Sequence, residues 1–154
     1  PGNLPPPSKR GDVFRQAAVK ALDTLSRNPN GFFLMIEGSN IDKAAHSNNL
    51  EEMMEELLDF DRTAGAVLDW ASKHPGTLVV ITADHNTGAF ALTGGSREQG
   101  EITGRFGSGS HDGVAVPVYA FGAGSGDFTG IYENTDIFNK IMNAFKKGAD
   151  KPVR

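Results

Sequence analysis

Thr77-Leu78-Val79-Val80-Ile81-Thr82-Ala83-Asp84-His85 is the stretch on which the reading of this chain turns. Pro75-Gly76 halts whatever precedes it, and a continuous β-branched and aliphatic run follows. A short run of that kind suits a strand covered on both faces, as parallel sheets bury theirs. It ends in a carboxylate beside an imidazole, and open α/β sheets place their ligands at the carboxyl ends of strands. The plainer alternative is an N-cap aspartate followed by a surface histidine. A neutral strand end rarely spends both residues.

Working outward, Phe32 to Ile36 is a second apolar run read as a strand covered on both faces, and Val116 to Phe121 is a third strong strand. Phe90 to Thr93 and Glu101 to Phe106 read as shorter, weaker strands. Asp12 is the expected N-cap of a helix to about Arg27, with Phe14, Ala17, Ala18, Ala21, Leu22 and Leu25 on one face. Further helices are expected from about Asn40 to Ser47, Leu50 to Lys73 and Asn134 to Phe145, each with apolar residues at helical spacing or polar pairs four apart. Strands alternating with helices predict an α/β fold, helix–sheet–helix in layers, with a largely parallel sheet. Residues 1–11 form an expected irregular, proline-rich arm, 12–147 the body, and 148–154 a charged tail that frays from Lys146.

Composition narrows the function classes. At 154 residues the chain can bury a real core, and a formal net charge of −4 with no basic patch gives no footprint for nucleic acid. No apolar run reaches the roughly 18–20 residues that span a bilayer. Pro1 to Arg10 has no signal-peptide pattern, and a start at Pro1 suggests a processed or truncated chain. The absence of cysteine excludes a disulfide framework and a thiolate metal knot. Glycines gather around the residues discussed next, which favours tight loops over a linker.

Three of the four histidines stand near carboxylates. Asp42 and His46, four apart on one helix face, sit about 5–6 Å apart at Cβ, a spacing that suits two ligands of one ion. Exposed helices also carry such pairs without a metal. Asp84 and His85 are adjacent, and His111 lies inside Gly107-Ser108-Gly109-Ser110-His111-Asp112-Gly113, where small neighbours let backbone approach a ligand. Glu37 ends the first apolar run, where a carboxylate is costly unless solvated, paired or metal-bound. His74, before Pro75 at a helix end, suits the helix dipole and is read as structural. The mixture of imidazole and carboxylate points to a catalytic centre for divalent ions.

Phe32-Phe33-Leu34-Met35-Ile36-Glu37-Gly38-Ser39-Asn40-Ile41-Asp42-Lys43-Ala44-Ala45-His46, Thr82-Ala83-Asp84-His85 and Ser110-His111 together resemble the C-terminal part of alkaline phosphatases, and Asn134-Thr135-Asp136-Ile137-Phe138 resembles their final helix. The resemblance runs from about Asp12 to Phe145. It implies an alkaline-phosphatase-like fold, incomplete here, and hydrolysis of phosphate monoesters through a phosphoserine, with two zinc ions and one magnesium. By resemblance Glu37 is a magnesium ligand, Asp42, His46 and His111 bind one zinc, and Asp84 and His85 bind the other. Lys43 matches a position that in some members contacts phosphate through water.

The resemblance also implies phosphate monoesters and inorganic phosphate as partners, a homo-oligomer, and a periplasmic or extracellular location. Asn86 and Ala89 stand where Glu and Gly are common in the family, and Asp112 where Thr is common. The family's Asp-Ser-Ala nucleophile segment does not occur in this sequence, so no catalytic nucleophile is assigned and the chain alone is expected to be inactive. The alternatives are a non-catalytic metal-binding domain, or a related phosphodiesterase, sulfatase or phosphomutase.

Overall fold

The computed structural model describes residues 4–149. In chain order they form α1 (Pro7–Arg10), α2 (Val13–Leu25), α3 (Ser39–His46), α4 (Leu50–Ser72), β1 (Leu78–Thr82), β2 (Asn86–Thr87), β3 (Ala91–Ser96), β4 (Glu101–Arg105), β5 (His111–Asp112), β6 (Val118–Gly122), a 3-10 turn (Ser125–Phe128) and α5 (Asp136–Ala149). The chain divides into two compact units. One takes Pro1–Ala66 and His85–Ala115, the other Val67–Asp84 and Val116–Arg154.

In the first unit the arm expected to be irregular contains a helical turn. Proline at the start of α1 loses no helical hydrogen bond there and has its φ preset, and the Gly11 N–H closes the turn on the Pro7 carbonyl. Asp12 does stand at the N-cap of α2, but its side chain caps nothing. Its carboxylate is taken by Arg15, whose Nε donates at 2.7 Å. Of the face expected to be apolar, Ala18 and Leu22 are buried and Ala17 is exposed. The core of this unit is Ala44, Ala45 and Met53, with Ile41, Leu50, Phe90 and Phe106 packed against it. It lies behind the helix that carries Asp42 and His46.

Phe32 to Ile36 forms no ladder among the described residues; residues 31–38 run without helix or strand. The segment keeps the two-residue alternation of an extended chain, yet Phe33 is 64% and Met35 75% exposed, so it is not covered on both faces as expected.

In the second unit β1 pairs with β6, from Leu78 opposite Gly122 to Thr82 opposite Val118. Buried Phe128 lies in the 3-10 turn, an element the sequence analysis did not anticipate. His74 has the structural role expected: its Nδ1–H donates to the Trp70 carbonyl at 2.7 Å and its ring stacks on the indole, centroids 3.6 Å apart. α5 begins at Asp136 and continues to Ala149, past the Phe145 end and the frayed Lys146 expected for it. Residues 1–3 of the arm and 150–154 of the tail lie outside the described residues.

The largely parallel sheet is not what these residues form. All three sheets, β1–β6, β2–β5 and β3–β4, are two-stranded and antiparallel. Periodicity reports that a segment is extended and buried, and pairing direction is set by what lies beside it. The β3–β4 hairpin spans the two weak strands expected, lengthened to Ser96 and kinked between Leu92 and Gly94.

Candidate metal centre

The centre forms where α3, β2 and β5 meet in the first unit. Two glycines allow that approach. Gly88 follows β2 at φ +80°, where a side chain would be strained, and an added Cβ would stand 3.0 Å from the Ala45 carbonyl and 2.8 Å from the Phe106 ring. Gly109 is also close, though less so, its would-be Cβ lying 3.2 Å from the His46 carbonyl.

Three side-chain atoms converge. His46 Nε2 lies 3.0 Å from His111 Nε2, and Asp42 Oδ1 lies 3.4 Å from the first and 3.6 Å from the second. Ligand atoms of a tetrahedral zinc stand roughly 3.3–3.6 Å from one another. The fit is close, because these three edges nearly match that figure. The protonation state fits as well. His46 Nδ1 lies 2.7 Å from the Gly109 carbonyl, which can only accept, so Nδ1 carries the proton and Nε2 presents a lone pair.

His85 joins the same neighbourhood differently. Asp42, His85 and His111 also form a looser group with donor atoms within 4.8 Å of one another. The His85 ring, however, stacks on the His111 ring, centroids 3.6 Å apart and planes 25° apart. Imidazole lone pairs lie in the ring plane, and planes so arranged intersect only roughly 8 Å away, far beyond the about 2 Å of a zinc–nitrogen bond. In this arrangement the two rings do not aim their lone pairs at one point, and Asp42, His46 and His111 form the more compact of the two groups.

Thr87 was not singled out from sequence. It is buried, and its hydroxyl donates to Asp42 Oδ1 at 2.7 Å while lying 3.1 Å from His85 Nδ1. Since the threonine proton goes to the carboxylate, its oxygen accepts from His85 Nδ1–H, which fixes the tautomer and orientation of that ring. A signal existed: residues two apart on an extended strand share a face, so His85 and Thr87 point the same way.

The other candidates stand outside this convergence. Glu37 is exposed at the end of the extended run, so its carboxylate is solvated. Asp84 is exposed and belongs to the second unit. Lys43 donates to Asn40 Oδ1 at 3.1 Å. Asp112 accepts from Asn86, Ala89 and Val114, and its carboxyl is held below its ordinary value, chiefly by the Val114 N–H.

Imidazoles and a carboxylate gathered in this way are a donor set suited to a divalent ion, and comparison gives the family. The alkaline phosphatase family model matches residues 7–106, and the chain belongs to that family. That match includes Glu37, Asp42, His46, Asp84 and His85 and stops before His111, which the β2–β5 ladder brings in. The chain is 29% identical to alkaline phosphatase 4 of Bacillus subtilis over 88% of its own length and 44% of that protein's. It is 31% identical to the alkaline phosphatase of Escherichia coli over 91% of its length and 34% of that protein's. Among solved structures it superposes on a TAB5 alkaline phosphatase mutant, described with Mg bound in the M3 site, with a TM-score of 0.84 and 38% identity over 93% of this chain and 44% of that one. The chain thus spans less than half the length of these relatives.

Proposed function

We propose that this chain is the C-terminal, metal-binding portion of a longer phosphatase that hydrolyses phosphate monoesters. The observation that carries this reading is the convergence of Asp42, His46 and His111 beside a stacked His85, which this reading assigns to a different ion. Two neighbouring zinc ions about 3.5–4 Å apart would supply a clamp for a phosphoryl group, and a magnesium would be held near Glu37. Within the chain, Asp42, His46 and His111 hold the first ion and Asp84 and His85 the second. Thr87 fixes the orientation of one ligand from each set, and Lys43 offers a cation for phosphate. A periplasmic or extracellular location follows from the family reading; among the described residues no helix is long and apolar enough to cross a membrane.

The test is hydrolysis of an aryl phosphate with zinc and magnesium present. This chain alone is expected to show no turnover, since a covalent route needs a nucleophile absent from it. The longer gene product is expected to hydrolyse the ester and to lose nearly all activity with Asp84→Ala. Turnover by the isolated chain that disappears with Asp84→Ala would overturn the first expectation. A metal-loaded but inert longer protein would favour a non-catalytic metal-binding domain.

Self-association of the chain belongs to the same proposal. Phe33 and Met35 on the extended segment of one unit, and Tyr119 and Phe138 of the other, are each more than 60% exposed. Exposed apolar surface beside an open strand edge pairs with another copy. Light scattering over a concentration series should show mass rising with concentration, and a strictly monomeric species throughout would refute it.

A further inference from the structure

The β2–β5 ladder that sets His85 beside His111 is two residues long on each side and continues in a Gly88 N–H to Ser110 carbonyl bond at 2.9 Å, a short backbone pairing for holding two imidazoles in register. Its outer pair is Asn86 opposite Asp112, and the inner pair is Thr87 opposite His111. Asn86 Nδ2 donates to both carboxylate oxygens of Asp112, at 3.1 and 2.9 Å. The same carboxylate takes the Ala89 N–H at 3.1 Å and the Val114 N–H at 3.0 Å. One side chain therefore ties the strand after His85 to the strand of His111 and closes the turns that leave both strands. The first of those turns is strained. Ala89 sits at φ +44°, a left-handed conformation that costs any residue with a Cβ, and its N–H is one of the three donors on Asp112.

We propose that Asp112, acting with Asn86, is a positioning residue that sets the spacing of His85 and His111 and so the geometry of the metal centre. It touches neither the converging ligand atoms nor any substrate position; it acts through the backbone that carries them. Asn86 and Ala89 both bond to Asp112 and so form one unit with it, in which an asparagine donates across the ladder and a carboxylate also restrains an alanine in a turn suited to glycine.

This inference rests on the metal-centre reading, and the experiment separates the two. The probe is zinc alone, competed against a chromophoric chelator, with the chain and its variants. The second readout is the NMR chemical shift of the His85 and His111 ring protons in metal-free protein, because stacked rings shield one another. Asp112→Ala and Asn86→Ala should each weaken zinc binding about 10-fold or more and move the ring signals toward unstacked values. The double variant should be no weaker than the worse single one, since both remove the same bond. Adding Ala89→Gly to Asp112→Ala should recover part of the loss, because glycine adopts the turn without help.

Zinc affinity within twofold of the parent in a folded Asp112→Ala chain, or additive losses in the double variant, would overturn the proposal. Should Asp112→Ala fail to fold, Asp112→Asn keeps the shape and one acceptor oxygen; unchanged affinity and unchanged ring shifts there would also overturn it. A parent chain that binds no zinc would defeat the metal reading, while the ring shifts would still decide this one.

Discussion

Asp42→Ala is expected to remove tight zinc binding from the chain, weakening it by more than about 100-fold. The estimate starts from outer-shell partners of metal ligands, whose loss costs about 10–100-fold in affinity. Asp42 is placed as a ligand itself, so its loss should exceed that range. Its carboxylate oxygen lies 3.4 and 3.6 Å from the two imidazole nitrogens and completes a triangle sized for zinc. Removing it leaves His46 and His111, two neutral ligands with no anionic charge to offset the cation. Thr87→Val is the graded comparison. Valine keeps the shape but removes the hydroxyl that donates to Asp42 and accepts from His85, so about a 10-fold loss is expected. His46→Ala should resemble Asp42→Ala. Calorimetric titration distinguishes the three, and equal affinity in parent and Asp42→Ala would mean that zinc binds elsewhere.

How much of this was legible in the sequence differs from residue to residue. α3, α4 and β1 lie within about a residue of where periodicity put them, because their apolar spacing is decided locally. Asp42, His46 and His111 could be named as candidates from residue type and joined as one set by the family resemblance, but their edges could not, since His111 lies 65 residues beyond His46 and only the fold brings them to 3.0 Å. Phe32 to Ile36 shows the limit. Its composition reads as a doubly covered strand, while here it joins no ladder and Phe33 and Met35 are exposed. A strand is defined by its neighbour, and a neighbour is not written in the segment itself. β2 and β5 were missed for another reason: Asn86-Thr87 and His111-Asp112 carry no apolar alternation, and hydrogen bonding rather than burial holds them. Thr87 was overlooked because threonine on a strand usually needs no explanation.

Arg10→Met should destabilise the chain by about 3–5 kcal/mol, the usual cost of stripping the partner from a buried ion pair. From the end of α1, Arg10 donates to both oxygens of Glu56, Nη1 at 2.7 Å and Nη2 at 2.6 Å, and Nη2 reaches Asp59 at 2.7 Å. The side chains are 12%, 4% and 2% exposed, so little water is present to replace the guanidinium. Arg62 also bonds Asp59, but at 3.3 Å and with its own side chain 57% exposed, so it compensates weakly. Glu56 further accepts from buried Asn40 at 3.2 Å, and Asn40 lies in the first turn of the same helix that carries Asp42 two residues later. The network thus links the proline-rich arm to the mounting of the metal centre. Methionine retains most of the apolar stem of arginine, so the loss measured is mainly electrostatic. Adding Glu56→Gln and Asp59→Asn should restore part of the stability, since the buried charges vanish with their partner. Urea unfolding, followed by far-UV circular dichroism, measures all three proteins. A loss under about 1 kcal/mol in Arg10→Met would class the pair with exposed salt bridges. In that case α1 would be an ornament of the fold, and the arm could be removed without disturbing α3.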